Sequence, residues 1–433
     1  MGARALPYPG RRTRPAGRGA ADVLSRRRGR DAHWVHTWTA MPQRTEPADL
    51  PPAPYTRGDI VLDNSTLRQT VRVSVGGRYT RIRLSNAFGD AVLPVTAVSV
   101  ARPVDGRAGV SAIVPGSARA VTFGGRRGIG IPQGAQAVSD PLDFGVGPGT
   151  NLTVTLHLAD GQASSALTSH PGSRTTSYLT TGDRLDDSDL PGATAVDHWY
   201  FLSGVEVLSR STTTATVLLG DSLTDGRGST TNGNDRWPDQ LLERLRARPA
   251  ASGVALLNQA AGGNRVLRDG LGPSALARLD RDVLAQSGVS RLLVFEGVND
   301  IGTAGTSDAA AQHITAELLG AYRQIVTRAH AQGIRVYGAT LTPFGGNGYD
   351  DPAGHHESAR RAVNEWIRTS GGFDAVVDFD RAVRDPRIPC RLSPAYDTGD
   401  HLHLNPAGYR ALAAAVPTRL FTQARGDRPR GRR

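Results

Sequence analysis

The feature that most constrains this chain is a change of hydrophobic period near Ser211. From Trp34 up to that point apolar residues alternate with polar ones. "QTVRVSV" sets Val71, Val73 and Val75 on one side, "TRIRLSNA" sets Ile82 and Leu84, and "LTVTLHL" sets Leu152, Val154, Leu156 and Leu158. A period of two places such residues on one face of a strand. With Gly, Pro and Asp between the runs, this predicts an antiparallel sheet packed on one face, and several such runs predict a β-sandwich. After Ser211 the runs "TATVLLG", "VALLN", "RLLVFEG", "IRVYGATL" and "DAVVDFD" are unbroken, and amphipathic segments lie between them. In "ITAELLGAYRQIVTRAH", Ile314, Leu318, Tyr322, Ile325 and Val326 share one helical face. Strands buried on both faces and separated by helices predict an α/β fold, a doubly wound parallel five-stranded sheet flanked by helices. Asn405-Pro406 predicts the N-cap and first position of a last helix running through Ala415. The expected division is a β-sandwich accessory domain over 34–210 and an α/β domain over 211–423, with basic, disordered tails at 1–33 and 424–433.

Net charge is +11, which raises the question of a nucleic-acid partner. Its distribution answers it: residues 1–33 carry nine Arg against Asp22 and Asp31, residues 424–433 carry five Arg against Asp427, and the body between is neutral. The expectation is therefore no specific nucleic-acid partner, only tails able to stick to acidic surfaces. All 51 basic residues are arginine. A phosphate-binding loop, a protein kinase and a pyridoxal enzyme each need a lysine, so none of these can operate here. Cys390 is the only cysteine, which rules out an intrachain disulfide and argues against a cysteine metal site. No run of eighteen apolar residues occurs, so no transmembrane segment is expected. The start is basic but has no apolar core of a secretory signal, so the chain reads as cytoplasmic as written, or as secreted if its start lies elsewhere.

Parallel α/β sheets build their sites at the carboxyl ends of strands. Ser222 follows the first predicted strand, Gly263 the second ("LNQAAGGNR") and Asn299 the third ("VFEGVND"), while Asp400 and His403 lie in "DTGDHLHLN" after the last. Gly-Asp-Ser is also ordinary turn chemistry, and each of these residues taken alone could be a turn residue. Together they suit acyl transfer. A serine hydroxyl needs a base, which His403 can be, and Asp400 can hold the imidazole tautomer. The N–H groups of Ser222 and Gly263 and the Asn299 amide can donate to an oxyanion. His401 and His403 form H-x-H, a spacing that metal sites use, but no Asp, Glu or Cys set accompanies them, and no metal or cofactor is expected. Asp300 reads as structural. Trp237, Tyr349 and Phe344 read equally as pocket or core.

On these blocks the chain resembles the SGNH hydrolase (GDSL esterase/lipase) family: Ser222 in "GDSLTDG", Gly263 in "NQAAGGN", Asn299 in "GVND" and His403 in "DHLH", with Asp400 completing the triad. All the blocks fall in the family's order over about half the chain. The longer "GDSLTDGRGSTTNGNDRWPDQL" resembles a bacterial subgroup with an added N-terminal β-domain. Leu404 departs from the proline that often follows the histidine. The resemblance implies an SGNH/flavodoxin-like sheet and a serine esterase acting on short-acyl or acetyl esters, of carbohydrate or lipid, through an acyl-enzyme. It also implies that His403, not His401, is the base. Thr224 stands where the last glycine of G-x-S-x-G would be, so this is not the α/β-hydrolase elbow. Two other readings stay open: an acyltransferase using the same triad, and a carbohydrate-binding protein with an inactive C-terminal domain. Oligomeric state is not legible.

Overall fold

The structure, a computed structural model, describes residues 32–422. The expectations for the tails at 1–31 and 424–433 fall outside it. Ala32 and His33 already belong to the first strand, where His33 Nε2 lies 2.8 Å from the Thr213 carbonyl.

The first half is antiparallel. One sheet orders the strands Ala32–Thr39, Leu202–Arg210, Gly77–Ser85 and Gln136–Val138, with Leu142–Val146 also pairing to Gly77–Ser85. A larger one centres on Ile60–Arg72 and Asn151–Gln162, flanked by Ser177–Thr181 and Ala97–Ala101. The pair is consistent with a β-sandwich. Its core is the set of alternating residues Val71, Val73, Ile82, Leu84, Leu152, Val154, Leu156 and Leu158, all buried. The alternation suggested a solvated outer face, but the central strands are covered on both sides. Arg68, Thr153 and Thr155 are also buried. The reason is loop cover: Arg68 donates to Thr155 Oγ1 and to the carbonyls of Ser111, Arg184 and Asp187, which roof that face.

The antiparallel half ends at Arg210, and the parallel sheet starts at Thr214. Its strands are β1 (Thr214–Gly220), β2 (Val254–Ala260), β3 (Val289–Phe295), β4 (Arg335–Ala339) and β5 (Ala375–Val377), in spatial order β2-β1-β3-β4-β5 with every pair parallel. Helices α1 (Trp237–Arg246) and α4 (Pro406–Ala415) pack together, as do α2 (Asp308–Ala331) and α3 (His355–Thr369). In α2, Ile314, Leu318, Tyr322, Ile325 and Val326 are buried, the stripe that a 3.6-residue period puts on one side. The Asn405 side chain caps α4 by accepting from Gly408 N–H.

The two halves meet along β2, the edge of the parallel sheet. An edge strand leaves unpaired backbone groups that must be covered. The strand Ala32–Thr39 packs beside it, and Ser74 Oγ accepts the Leu256 N–H at 3.2 Å. Ser287 extends the seam, with its hydroxyl 2.6 Å from Glu206 Oε1 and its N–H donating to His36 Nδ1 at 2.9 Å. No described helix is long and apolar enough to cross a membrane.

Candidate active site

The buried run of β1 stops at Gly220 because nothing larger fits there: a Cβ would sit 2.6 Å from Thr224 Oγ1 and 2.8 Å from the Phe295 carbonyl. Asp221 then caps the short helix Ser222–Asp225, accepting Leu223 N–H at 3.0 Å. Burial, with Glu296, Asp300 and Asp225 close by, pushes the Asp221 carboxyl well above the usual carboxylate range. Ser222 is thus the first helical residue, and its own N–H has no partner among the described residues.

Ser222 Oγ lies 2.8 Å from His403 Nε2, and His403 Nδ1 lies 2.6 Å from Asp400 Oδ2. The loop from Asp397 to Leu404 closes on itself, with Thr398 N–H donating to the His403 carbonyl. Asp400 Oδ1 accepts from His403 N–H, Leu402 N–H and Thr398 Oγ1, at 2.8, 3.0 and 3.0 Å. Partial burial would raise the Asp400 carboxyl, but these bonds and the His403 ring outweigh it and hold the group far below the usual range. Burial lowers the His403 imidazole, Asp400 opposes this, and Arg227 and Arg174 lower it further, leaving it below its ordinary value. The ring is therefore neutral near pH 7, as a proton acceptor must be.

His401 goes elsewhere. An extended segment would aim it the same way as His403, but its φ of 64° breaks the alternation. Its Nδ1 pairs with Asp397 Oδ2 at 2.6 Å, and the side chain is half exposed.

Gly263 follows β2 in a left-handed turn, φ 69°, where a Cβ would also meet Leu271 Cδ1 at 2.9 Å. Its N–H, like that of Ser222, donates to no described group. Asn299 sits in the short helix after β3, entered through Gly297 at φ 135°, where a Cβ would strike the Tyr322 hydroxyl. The Asn299 amide donates one N–H to the Asn264 carbonyl at 2.7 Å and accepts the Tyr349 hydroxyl at 2.9 Å. That fixes its plane and leaves a second N–H. Asp300 accepts from Val266 and Leu267 N–H, at 2.8 and 3.0 Å, and so shapes the neighbouring loop. Of the three aromatic candidates, Trp237 and Phe344 are fully buried in the core, and Tyr349 lines the site.

Sequence reasoning missed two supports. Arg278 is entirely buried under the strand ends. It donates to Asn264 Oδ1, the Gln259 carbonyl and the Gly220 carbonyl, so one side chain ties together the ends of β1 and β2 and the loop of Gly263. Glu296 Oε1 lies 3.5 Å from it, and burial still lifts that carboxyl to about 7. The signal was present in "SALARLDRD": Arg278 falls on the face of Ala275, Leu279 and Val283. The second support is His170, from the antiparallel half. Its Nε2 lies 2.9 Å from Asp225 Oδ1 and its Nδ1 3.0 Å from the Met41 carbonyl. This buried contact fastens the β half to the helix that carries Ser222. Gly172 packs so close that a Cβ there would lie 1.8 Å from Asp225 Oδ2.

A cavity of about 410 Å³ opens over Ser222, Gly263, Asn299 and His403. Its floor is the strand ends, and Gln43, Pro171, Arg174 and His198 of the antiparallel half form part of its wall.

Residues 218–411 match the family model described as GDSL-like Lipase/Acylhydrolase family. No curated protein matches the chain. Solved structures similar to it include a variant acetyl xylan esterase from Geobacillus stearothermophilus, 21% identical over 47% of this chain and 92% of that one, with a TM-score of 0.36. The acetyl xylan esterase AlAXEase is 20% identical over 46% and 96%, with a TM-score of 0.35. An alpha/beta hydrolase enzyme from the metagenome of Lake Arreo, Spain, is 19% identical over 49% and 97%, with a TM-score of 0.37. Over residues 218–411 the chain thus carries a domain that matches the GDSL-like lipase/acylhydrolase family, and that match supports an ester hydrolase.

Proposed function

We propose that this protein hydrolyses short-acyl esters, acetates among them, through an acyl-enzyme on Ser222. His403 Nε2 takes the Ser222 proton as Oγ attacks the ester carbonyl carbon. The carbonyl oxygen becomes an oxyanion held by the N–H groups of Ser222 and Gly263 and the free N–H of Asn299. As the C–O bond breaks, His403 returns the proton to the leaving alcohol. Water then repeats the cycle against the acyl-serine, releasing the acid and restoring Ser222. Asp400 fixes the tautomer and stabilises the imidazolium. The observation that carries this reading is the unbroken relay from Ser222 Oγ through His403 to Asp400, at 2.8 and 2.6 Å, on the wall of a cavity sized for a small molecule. We take residues 211–423 as the catalytic domain and 34–210 as an accessory domain that completes the substrate cavity.

A fluorophosphonate probe tests it. Wild type should be labelled at Ser222 with parallel loss of activity on an activated acetate ester, while Ser222→Ala, folded by circular dichroism, should neither label nor turn over. Near-wild-type turnover in Ser222→Ala would refute the mechanism.

A further inference from the structure

Among the described residues, two arginines in the cavity make no ion pair. Arg174 and Arg227 line it beside Ser222 and His403. Among the described residues no carboxylate lies within ion-pair distance of either guanidinium, and Arg174 Nε is buried without a hydrogen-bond partner. Several buried arginines are matched by a carboxylate, Arg236 with Asp239 at 2.8 Å, Arg360 with Asp380 at 2.8 Å and Arg278 with Glu296 at 3.5 Å, and the buried Arg68 is satisfied by carbonyls and Thr155. Arg174 is half-buried and Arg227 exposed, so both guanidinium groups stay open to an incoming anion, and the buried Arg174 Nε–H is a donor that such a group would satisfy.

Arg174 is also held in place. The loop that carries it is pinned to the catalytic half on both sides: before it by His170 on Asp225, after it by Thr176 N–H on Asn232 Oδ1 at 2.8 Å. Between them Asn232 N–H donates to the Arg174 carbonyl itself, at 2.9 Å. Arg174 adopts φ 50°, a left-handed conformation that a non-glycine residue keeps only when its surroundings impose it. Arg227 is fixed near the nucleophile from the other side, its N–H donating to the Ser222 carbonyl at 3.0 Å. The cavity's own carboxylates do not serve the pair. Asp225 gives Oδ1 to His170, and its buried Oδ2, with no hydrogen-bond partner, lies beyond ion-pair reach of both arginines, as does Glu46; Asp49 faces the His198 ring at 3.7 Å.

We propose that Arg174 and Arg227 form a subsite for an anionic group, carboxylate or phosphate, carried by the substrate close to its scissile ester. The proposal rests on the ester-hydrolase reading above and adds the substrate class. Guanidinium groups present planar pairs of donors that suit either anion. The arrangement also has a catalytic reason. Two cations beside His403 oppose the imidazolium that must form as Ser222 attacks, and both act on that ring. A bound anion would cancel this penalty, so a charged substrate gains at the chemical step as well as in binding.

The test compares three acetates of one methyl hexoside: neutral, with a carboxylate at C6, and with a phosphate at C6. In wild type at low salt, kcat/KM for at least one anionic acetate should exceed that for the neutral one by about tenfold or more, the scale of a charge-assisted hydrogen bond. The preference should shrink in 0.5 M NaCl. In Arg174→Gln and Arg227→Gln the anionic-to-neutral ratio should drop, and in the double variant it should approach one. Labelling of Ser222 by a neutral fluorophosphonate checks that the variant sites are intact. A wild-type ratio near or below one, with the neutral acetate still hydrolysed, would overturn the subsite and leave the esterase reading standing. A preference that survives in the double variant would overturn its assignment to these arginines. If wild type hydrolysed no ester at all, the proposed function would fall, and the subsite with it.

Discussion

Asp400→Asn probes the relay at its least redundant atom. The carboxylate divides its contacts cleanly. Oδ1 accepts from Thr398 Oγ1, Leu402 N–H and His403 N–H, and Oδ2 faces only the His403 ring. An asparagine can keep its carbonyl oxygen on the first three partners, so the loop should hold its shape. Its NH₂ then replaces Oδ2 and points a donor at His403 Nδ1. The imidazole must accept there, which moves its proton to Nε2, and Nε2 can no longer take the Ser222 proton. A carboxylate-to-amide change of this kind lowers turnover by about 10⁴-fold. The Asp400 side chain is 39% exposed, so water can partly substitute for it. The loss expected here is therefore about 10³–10⁴-fold in kcat, or about 4–5.5 kcal/mol of barrier. The assay is steady-state hydrolysis of an activated acetate ester, with the rate of fluorophosphonate labelling as a second measure of serine nucleophilicity. Thermal unfolding should change little. If Asp400→Asn kept more than a tenth of wild-type kcat with normal labelling, Asp400 would not be setting the tautomer, and the relay would need another partner.

Asn299→Ala should lower kcat by about 10²–10³-fold with little change in KM, because its free N–H faces charge that develops only in the transition state; a rise in KM alone would make Asn299 a substrate-binding group instead. His401→Ala removes a half-exposed pair with Asp397, which is worth about 1 kcal/mol at most, so kcat/KM should stay within a few-fold of wild type while His403→Ala loses nearly all of it; the reverse ranking would exchange the two histidines' roles. The acid limb of the kcat/KM–pH profile should lie below pH 6.5. In the proposed mechanism turnover needs neutral His403, and burial with the two arginines holds that ring below its ordinary value, so activity should persist as pH falls until the lowered pKa is crossed. A limb at or above 6.5 would show that the Asp400 contact outweighs burial in the free enzyme.

The sheet and the floor of the site were legible because both are local in sequence. A strand buried on two faces must be an unbroken apolar run, and a group displayed at its end must follow within a few residues. Ser222, Gly263 and Asn299 therefore stand directly after β1, β2 and β3. Asp400 and His403 could be paired because a turn of three residues closes the distance. Facing alone could not separate His401 from His403, since the left-handed φ of His401 cannot be read from a list of letters. The wall of the site was illegible for a different reason. His170 reaches Asp225 across 55 positions, and Arg174 depends on Asn232 for its conformation. Neither residue belongs to a periodic run, so only packing of the antiparallel half against β2 brings them to the helix and cavity of Ser222. The change of texture at Ser211 therefore marks a boundary of architecture and not one of function. The helix that carries Ser222 is held from one side by its own sheet, through Arg278 on the Gly220 carbonyl, and from the other by His170 of the first half. An element braced from both sides keeps Ser222 at hydrogen-bonding distance from His403 before any substrate arrives, and such preorganisation is what the proposed chemistry requires.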